Sequence, residues 1–130
     1  HYSVVPGAVN LDGSTVASQN VWYHVAISAD ATGQMKLYVN GVPDATPVNT
    51  AGLWTGGTHF HFGNGSGGGA GHLNGAIDEV KIFNTQLSDA EVLADFNSTT
   101  PPPSSSPIAY YPFNGNANDA VGSNNGSVNG

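Results

Sequence analysis

The chain contains no cysteine, and only two basic residues, Lys36 and Lys81, stand against nine acids. Without thiols there is no disulfide framework and no thiol chemistry, although a domain of this size can manage without bridges. A formal charge of −7 leaves no basic patch to neutralise a phosphate backbone, which argues against nucleic acid as a partner. No apolar run approaches the roughly 20 residues of a membrane span, and no basic amphipathic helix is available to lie on an anionic surface, so membrane insertion is not expected. Charged residues of both signs make up 8% of the chain, against about 25% in an ordinary domain. With few Lys, Arg and Glu but 18 Gly and 8 Pro, the chain is a poor helix former.

What is present points to β structure. Hydrophobic residues are 38% of the 130 positions, enough for one packed core, and they fall in alternating or short continuous runs. Val21 to Ile27 alternates Val21, Tyr23, Val25 and Ile27 with Trp22, His24 and Ala26, predicting a strand in which Trp22 packs into the core. Met35 to Val39 follows a turn-forming Asp30-Ala31-Thr32-Gly33, so the two runs predict a hairpin. Asn40-Gly41 ends the second strand with a strong hairpin signal, and Pro43 confines the returning segment to an edge or a strand end. Thr58 to Gly63 and His72 to Phe83 alternate again, separated by a Gly-rich stretch suited to a surface loop. One helical signal occurs: Ser88 and Glu91 form a capping box ahead of Val92, Leu93 and Phe96.

Residues 99–107, Thr-Thr-Pro-Pro-Pro-Ser-Ser-Ser-Pro, favour extended polyproline geometry and predict a semi-rigid linker. Ser/Thr with Pro is the composition of glycosylated stalks, and acceptor patterns for N-glycosylation occur at Asn64, Asn97 and Asn125. These features predict a secreted, extracellular or cell-surface address. A first residue that is His, with no leader before it, fits a processed product or an excerpt.

Five blocks in order carry a family pattern: Trp22-Tyr23-His24-Val25, Met35 to Gly41, Phe62-Gly63-Asn64, Leu73 to Asn84, and Leu87 to Val92. Together they resemble the second half of a laminin G-like domain of the concanavalin A-like superfamily. The resemblance implies an all-β fold, a concanavalin A-like jelly-roll sandwich with one short C-terminal helix, over residues 1–98. After the linker, Ile108 to Asp119 and Gly122 to Gly126 are similar to the beginning of the same family. Residues 108–130 are therefore expected to be the opening strand of a following or neighbouring copy. In the family that strand comes first and lies beside the closing strand; here it comes last. Two explanations stand open: an excerpt of a tandem array, or a strand bearing Tyr110, Tyr111 and Phe113 that is donated to a neighbouring subunit.

No catalytic constellation is visible, and the chain is expected not to be an enzyme. Asp78-Glu79 is the one adjacent acidic pair, and successive strand residues point to opposite faces; the alternating acids of the superfamily's glucanases are not found. Calcium suits the wealth of Asp, Asn and loop carbonyls, and the resemblance places Asp78 and Asp119 side by side as its ligands. The alternative is that Asp78 hydrogen-bonds the sandwich edge and Asp119 is a turn residue. Trp54, with His59, His61 and His72, offers an aromatic and polar platform for a sugar; the alternative is that Trp54 plugs the end of the sandwich. The expected function is an extracellular structural or adhesive module, a repeat of a surface, matrix or filament protein whose partners are copies of itself. The alternative is a carbohydrate-binding module of a larger secreted polysaccharide-active protein, with glycans as partners.

Overall fold

The computed structural model describes residues 3–4, 11–49, 73–98 and 106–127. Its elements in chain order are β1 (Ser3–Val4), β2 (Leu11–Asp12), β3 (Val25–Ala29), β4 (Gln34–Val39), β5 (Val42–Pro43), β6 (Val48–Asn49), β7 (Val80–Ile82), α1 (Asp89–Asn97) and β8 (Ala109–Tyr111). The chain is thus mostly β with one short helix. It divides into two compact units that do not follow chain order: His1–Gly57 with Gln86–Pro102, and Thr58–Thr85 with Pro103–Gly130. Among the described residues the strands form three small sheets, and a complete two-sheet jelly roll is not seen.

The first unit is organised by β4. The antiparallel β3–β4 ladder runs from Val25↔Val39 to Ala29↔Met35, and the other side of β4 is shared between β5 and β6. Both turns follow their residue chemistry. Asp30 accepts hydrogen bonds from the Thr32 amide and hydroxyl and from the Gln34 amide, which closes the β3–β4 connection. Asn40 and Gly41 both take left-handed φ values, 51° and 79°, as a two-residue hairpin turn of primed type requires. Pro43 sits in a two-residue strand beside Tyr38, where its missing N–H is tolerated.

Alternation along β4 divides its side chains between two faces. Met35 and Leu37 are buried with Leu11 of β2, against Ala29, Ala45 and Val48. On the opposite face, the fully buried Tyr38 donates its phenolic hydrogen to Asp89 at 2.7 Å, and Lys36 Nζ donates to the same oxygen at 2.8 Å. The helix begins as its sequence predicts. Ser88 Oγ accepts from the Glu91 amide while the Glu91 carboxylate accepts from the Ser88 amide, so two otherwise unpaired helix-end donors are satisfied. Ser28 Oγ donates to the Leu87 carbonyl just upstream. His24 Nε2 lies 3.4 Å from Asp95 Oδ2, with its ring 5.6 Å from that of Phe96.

Three expectations need correction. Trp22 is not a core residue: it is 67% exposed and precedes β3, outside the ladder. The strand expected from Val21 begins at Val25, and of that expected over His72 to Phe83 the described residues, which start at Leu73, form a strand at Val80–Ile82 alone. Alternation marks where a strand is possible, but a ladder requires a partner at each position. The strand expected at Thr58 to Gly63 lies outside the described residues, as does the linker from 99 to 105.

Candidate functional site

The second unit contains the pairing that the order of the sequence made puzzling. β8, which follows the linker, pairs antiparallel with β7 of the same chain, in the register Val80↔Tyr111, Lys81↔Tyr110 and Ile82↔Ala109. One further main-chain bond, from the Ile108 amide to the Ile82 carbonyl at 2.8 Å, extends the ladder. Residues directly opposite share a face. On one face Lys81 Nζ stands 5.8 Å from the centre of the Tyr110 ring, a cation–π distance, and the Tyr110 hydroxyl donates to the Glu79 carboxylate. On the other, Ala109 is buried and Tyr111 stacks with Phe113 at 6.1 Å.

A three-residue ladder is too short to fix the segment that carries it. The loop after β8 supplies the rest, and Asp119 is its centre. Asp119 Oδ1 accepts from the amides of Tyr110, Val121 and Gly122, and Oδ2 from that of Asn124. These amides favour the ionised carboxylate, Gly122 and Tyr110 most strongly, and hold its pKa down at about 2. The Asp119 amide in turn donates to Asn125 Oδ1, and Ala120 and Gly126 donate to the Tyr110 and Ala117 carbonyls. The Tyr111 hydroxyl closes the loop onto the Asn124 carbonyl. Gly122 is required by close approach, since a Cβ there would stand 2.6 Å from Asp119 Oδ2 and 3.1 Å from the Ile108 carbonyl oxygen.

The residues singled out from sequence are distributed unevenly over this arrangement. Tyr110 and Tyr111 belong to it, in a strand paired within the chain, and Phe113 follows that strand, stacked with Tyr111. Asp78 is exposed just before β7 and accepts the Glu79 amide at 2.9 Å, whereas Asp119 is buried and spends both oxygens on main-chain amides. Calcium takes six to eight oxygen ligands. Among the described residues no group of three or more His, Asp or Glu side chains is placed to hold a metal ion. Asn97 ends α1 with its carboxamide donating to the Leu93 carbonyl, and Asn125 is exposed in the loop after β8. Asn64, Trp54, His59, His61 and His72 lie outside the described residues.

Sequence reasoning missed Glu79 as a partner of Tyr110. It also missed that Glu79 and Phe113 adopt left-handed φ values of 56° and 51°, which few non-glycine residues do. The spacing Asp119–Val121–Gly122 was a usable signal, because an Asp side chain commonly accepts amides two and three residues on. The first unit carries an open depression lined in part by Asp12, Ser14, Asp44 and Thr46. Asp44 there is occupied by Ser14 and Thr15.

Comparison with known proteins agrees with the architecture. Among solved structures, the chain is similar to the crystal structure of an S-layer domain-containing protein (residues 221–444) from Clostridium thermocellum, with 22% identity and a TM-score of 0.52. The likeness covers 68% of this chain and 45% of that one, so the chain spans less than half of that structure, and at this identity the likeness speaks for the fold alone. No curated protein matches. No helix among the described residues is long and apolar enough to cross a membrane. A laminin G family model, described as the concanavalin A-like lectin/glucanases superfamily, matches residues 3–93, well over half of the sequence, and the chain belongs to that superfamily.

Proposed function

We propose that the chain is a non-catalytic structural or adhesive module of an extracellular surface, matrix or filament protein, in which copies are joined by exchange of the strand that follows the linker. The observation that carries this reading is the β7–β8 ladder. A segment with the pattern of the family's opening strand, lying beyond a Pro/Ser/Thr linker, occupies the edge of the closing strand. The same ladder formed between chains would link one copy to the next by main-chain hydrogen bonds, with Tyr110, Tyr111 and Phe113 as side-chain anchors. An exchanged segment of this kind is a low-cost route to assembly, because it reuses contacts that one chain already makes. The full jelly-roll sandwich of the superfamily belongs to this proposal. Likeness to an S-layer domain-containing protein supports a cell-surface address.

The test compares the full chain with one ending at Ser98, by size-exclusion light scattering and negative-stain microscopy. Oligomers or filaments from the full chain, with a monomeric or unfolded shortened chain, are the expected result. Two folded monomers of equal stability would overturn the reading. A glycan array on the full chain then decides whether the module binds carbohydrate instead.

A further inference from the structure

An asparagine followed by glycine is chemically the most labile pair in a main chain, because no Cβ hinders the glycine amide as it approaches the asparagine Cγ. The sequence contains several such pairs, and four of them are described. Three are tied down. Asn40 accepts the His24 amide on its Oδ1 and sits with Gly41 in the left-handed hairpin turn. Gly115 donates its amide to the Phe113 carbonyl at 2.7 Å. Asn125 accepts the Asp119 amide on Oδ1, and Gly126 donates to the Ala117 carbonyl at 2.8 Å.

Asn74–Gly75 differs in each respect. Both residues are exposed and precede β7 outside any strand, and among the described residues neither forms a hydrogen bond. A Cβ placed on Gly75 would meet nothing but the Leu73 side chain, at 3.6 Å, so the backbone has room to turn. We propose that Asn74 is a site of spontaneous deamidation in the folded chain, the one described Asn-Gly pair that reacts without prior unfolding.

The Gly75 nitrogen attacks Asn74 Cγ, the new N–C bond replaces the Cγ–Nδ2 bond, and Nδ2 leaves as ammonia with the proton given up by the Gly75 amide. Water then opens the resulting succinimide. Cleavage at Cγ leaves aspartate in an ordinary chain. Cleavage at the main-chain carbonyl leaves isoaspartate, in which the backbone runs through Cβ and Cγ and is lengthened by one carbon. Either product adds a carboxylate near Asp78 and Glu79 in a chain already at −7. The lengthened form changes the path of the main chain leading into β7.

The experiment incubates the full chain in warm, mildly alkaline buffer and maps peptides by mass spectrometry, scoring isoaspartate with an isoaspartyl methyltransferase. A parallel sample is held in denaturant, and circular dichroism checks that the first stays folded. Asn74 is expected to convert first in the folded chain, with Asn40, Asn114 and Asn125 slower by roughly 2- to 10-fold for each hydrogen bond that must open. In denaturant the four should converge. Equal rates in the folded chain, or a lead for Asn74 that persists unchanged in denaturant, would overturn the proposal. The N74Q chain should lose the modified peptide and leave the other three rates as they were.

Discussion

The amide of Tyr110, in the middle of β8, donates to Asp119 Oδ1 at 3.0 Å, so one carboxylate ties the strand to the loop that follows it. The same oxygen gathers the Val121 and Gly122 amides. The charge of Asp119 is therefore a structural part of the segment, and its loss should be read out where those amides lie. The D119N chain is expected to exchange the amide hydrogens of Tyr110, Val121 and Gly122 faster than the parent, with the first unit unchanged. Unaltered protection at those three amides would show that the carboxylate does not order the loop.

The same residue gives the second unit an acid limb. Its pKa is lowered from 3.8 to about 2 by folding, so the folded state binds this proton less readily than the unfolded one. The stabilisation is fully present above the unfolded value, and it is lost as pH falls through the folded value. Protection of the Tyr110 amide should fall between roughly pH 4 and pH 2 in the parent, and that limb should flatten in D119N. An unchanged limb in D119N would assign the transition to other carboxylates.

Substituting G122A places a Cβ against the Ile108 main-chain carbonyl and against Asp119 Oδ2, which the Asn124 amide holds in place. Thermal unfolding of G122A should show a destabilised second unit. G115A is the control for space, since nothing stands within 4 Å of a Cβ there, and its cost is limited to the left-handed φ of 83°. A G122A chain no less stable than G115A would contradict the close-approach account.

In the first unit, Gly41 combines a φ of 79° with a Cβ position 2.9 Å from Leu93 Cδ1 and 3.2 Å from Leu93 Cα. G41A is expected to lose about 1–3 kcal/mol, from the strained backbone and the displaced helix together. S88A removes the helix cap and should cost about 0.5–2 kcal/mol. L37A empties a fully buried position and should cost about 2–5 kcal/mol. Urea denaturation of the three chains gives the ranking, and an S88A chain as damaged as L37A would mean that capping matters more than the core here.

The turns and the helix start were legible because each depends on residues close together in sequence. Asp30 to Gly33 and Ser88 with Glu91 contain both halves of their own hydrogen bonds, and Asn40-Gly41 is a residue pair that tolerates the left-handed φ values its turn needs. Trp22 was misread because an alternating pattern does not say whether a second layer covers the face it marks. Asp119 was legible from the sequence as a metal ligand or a turn residue, because a loop carboxylate suits cations and amides alike; that it gathers the amides of Tyr110, Val121, Gly122 and Asn124 is visible only from their positions. Glu79 and Tyr110 lie 31 positions apart, beyond any local pattern.

The β character, the hairpin turns, the capped helix and the family are written in the residues alone, because composition, period and short-range hydrogen bonding act within a few positions. That the segment beyond the linker lies along β7 of its own chain, in the register that sets Tyr110 opposite Lys81, depends on the folded arrangement. Strand pairing joins residues distant in the chain, and its register is fixed by which side chains the two faces can bury, which no local window contains.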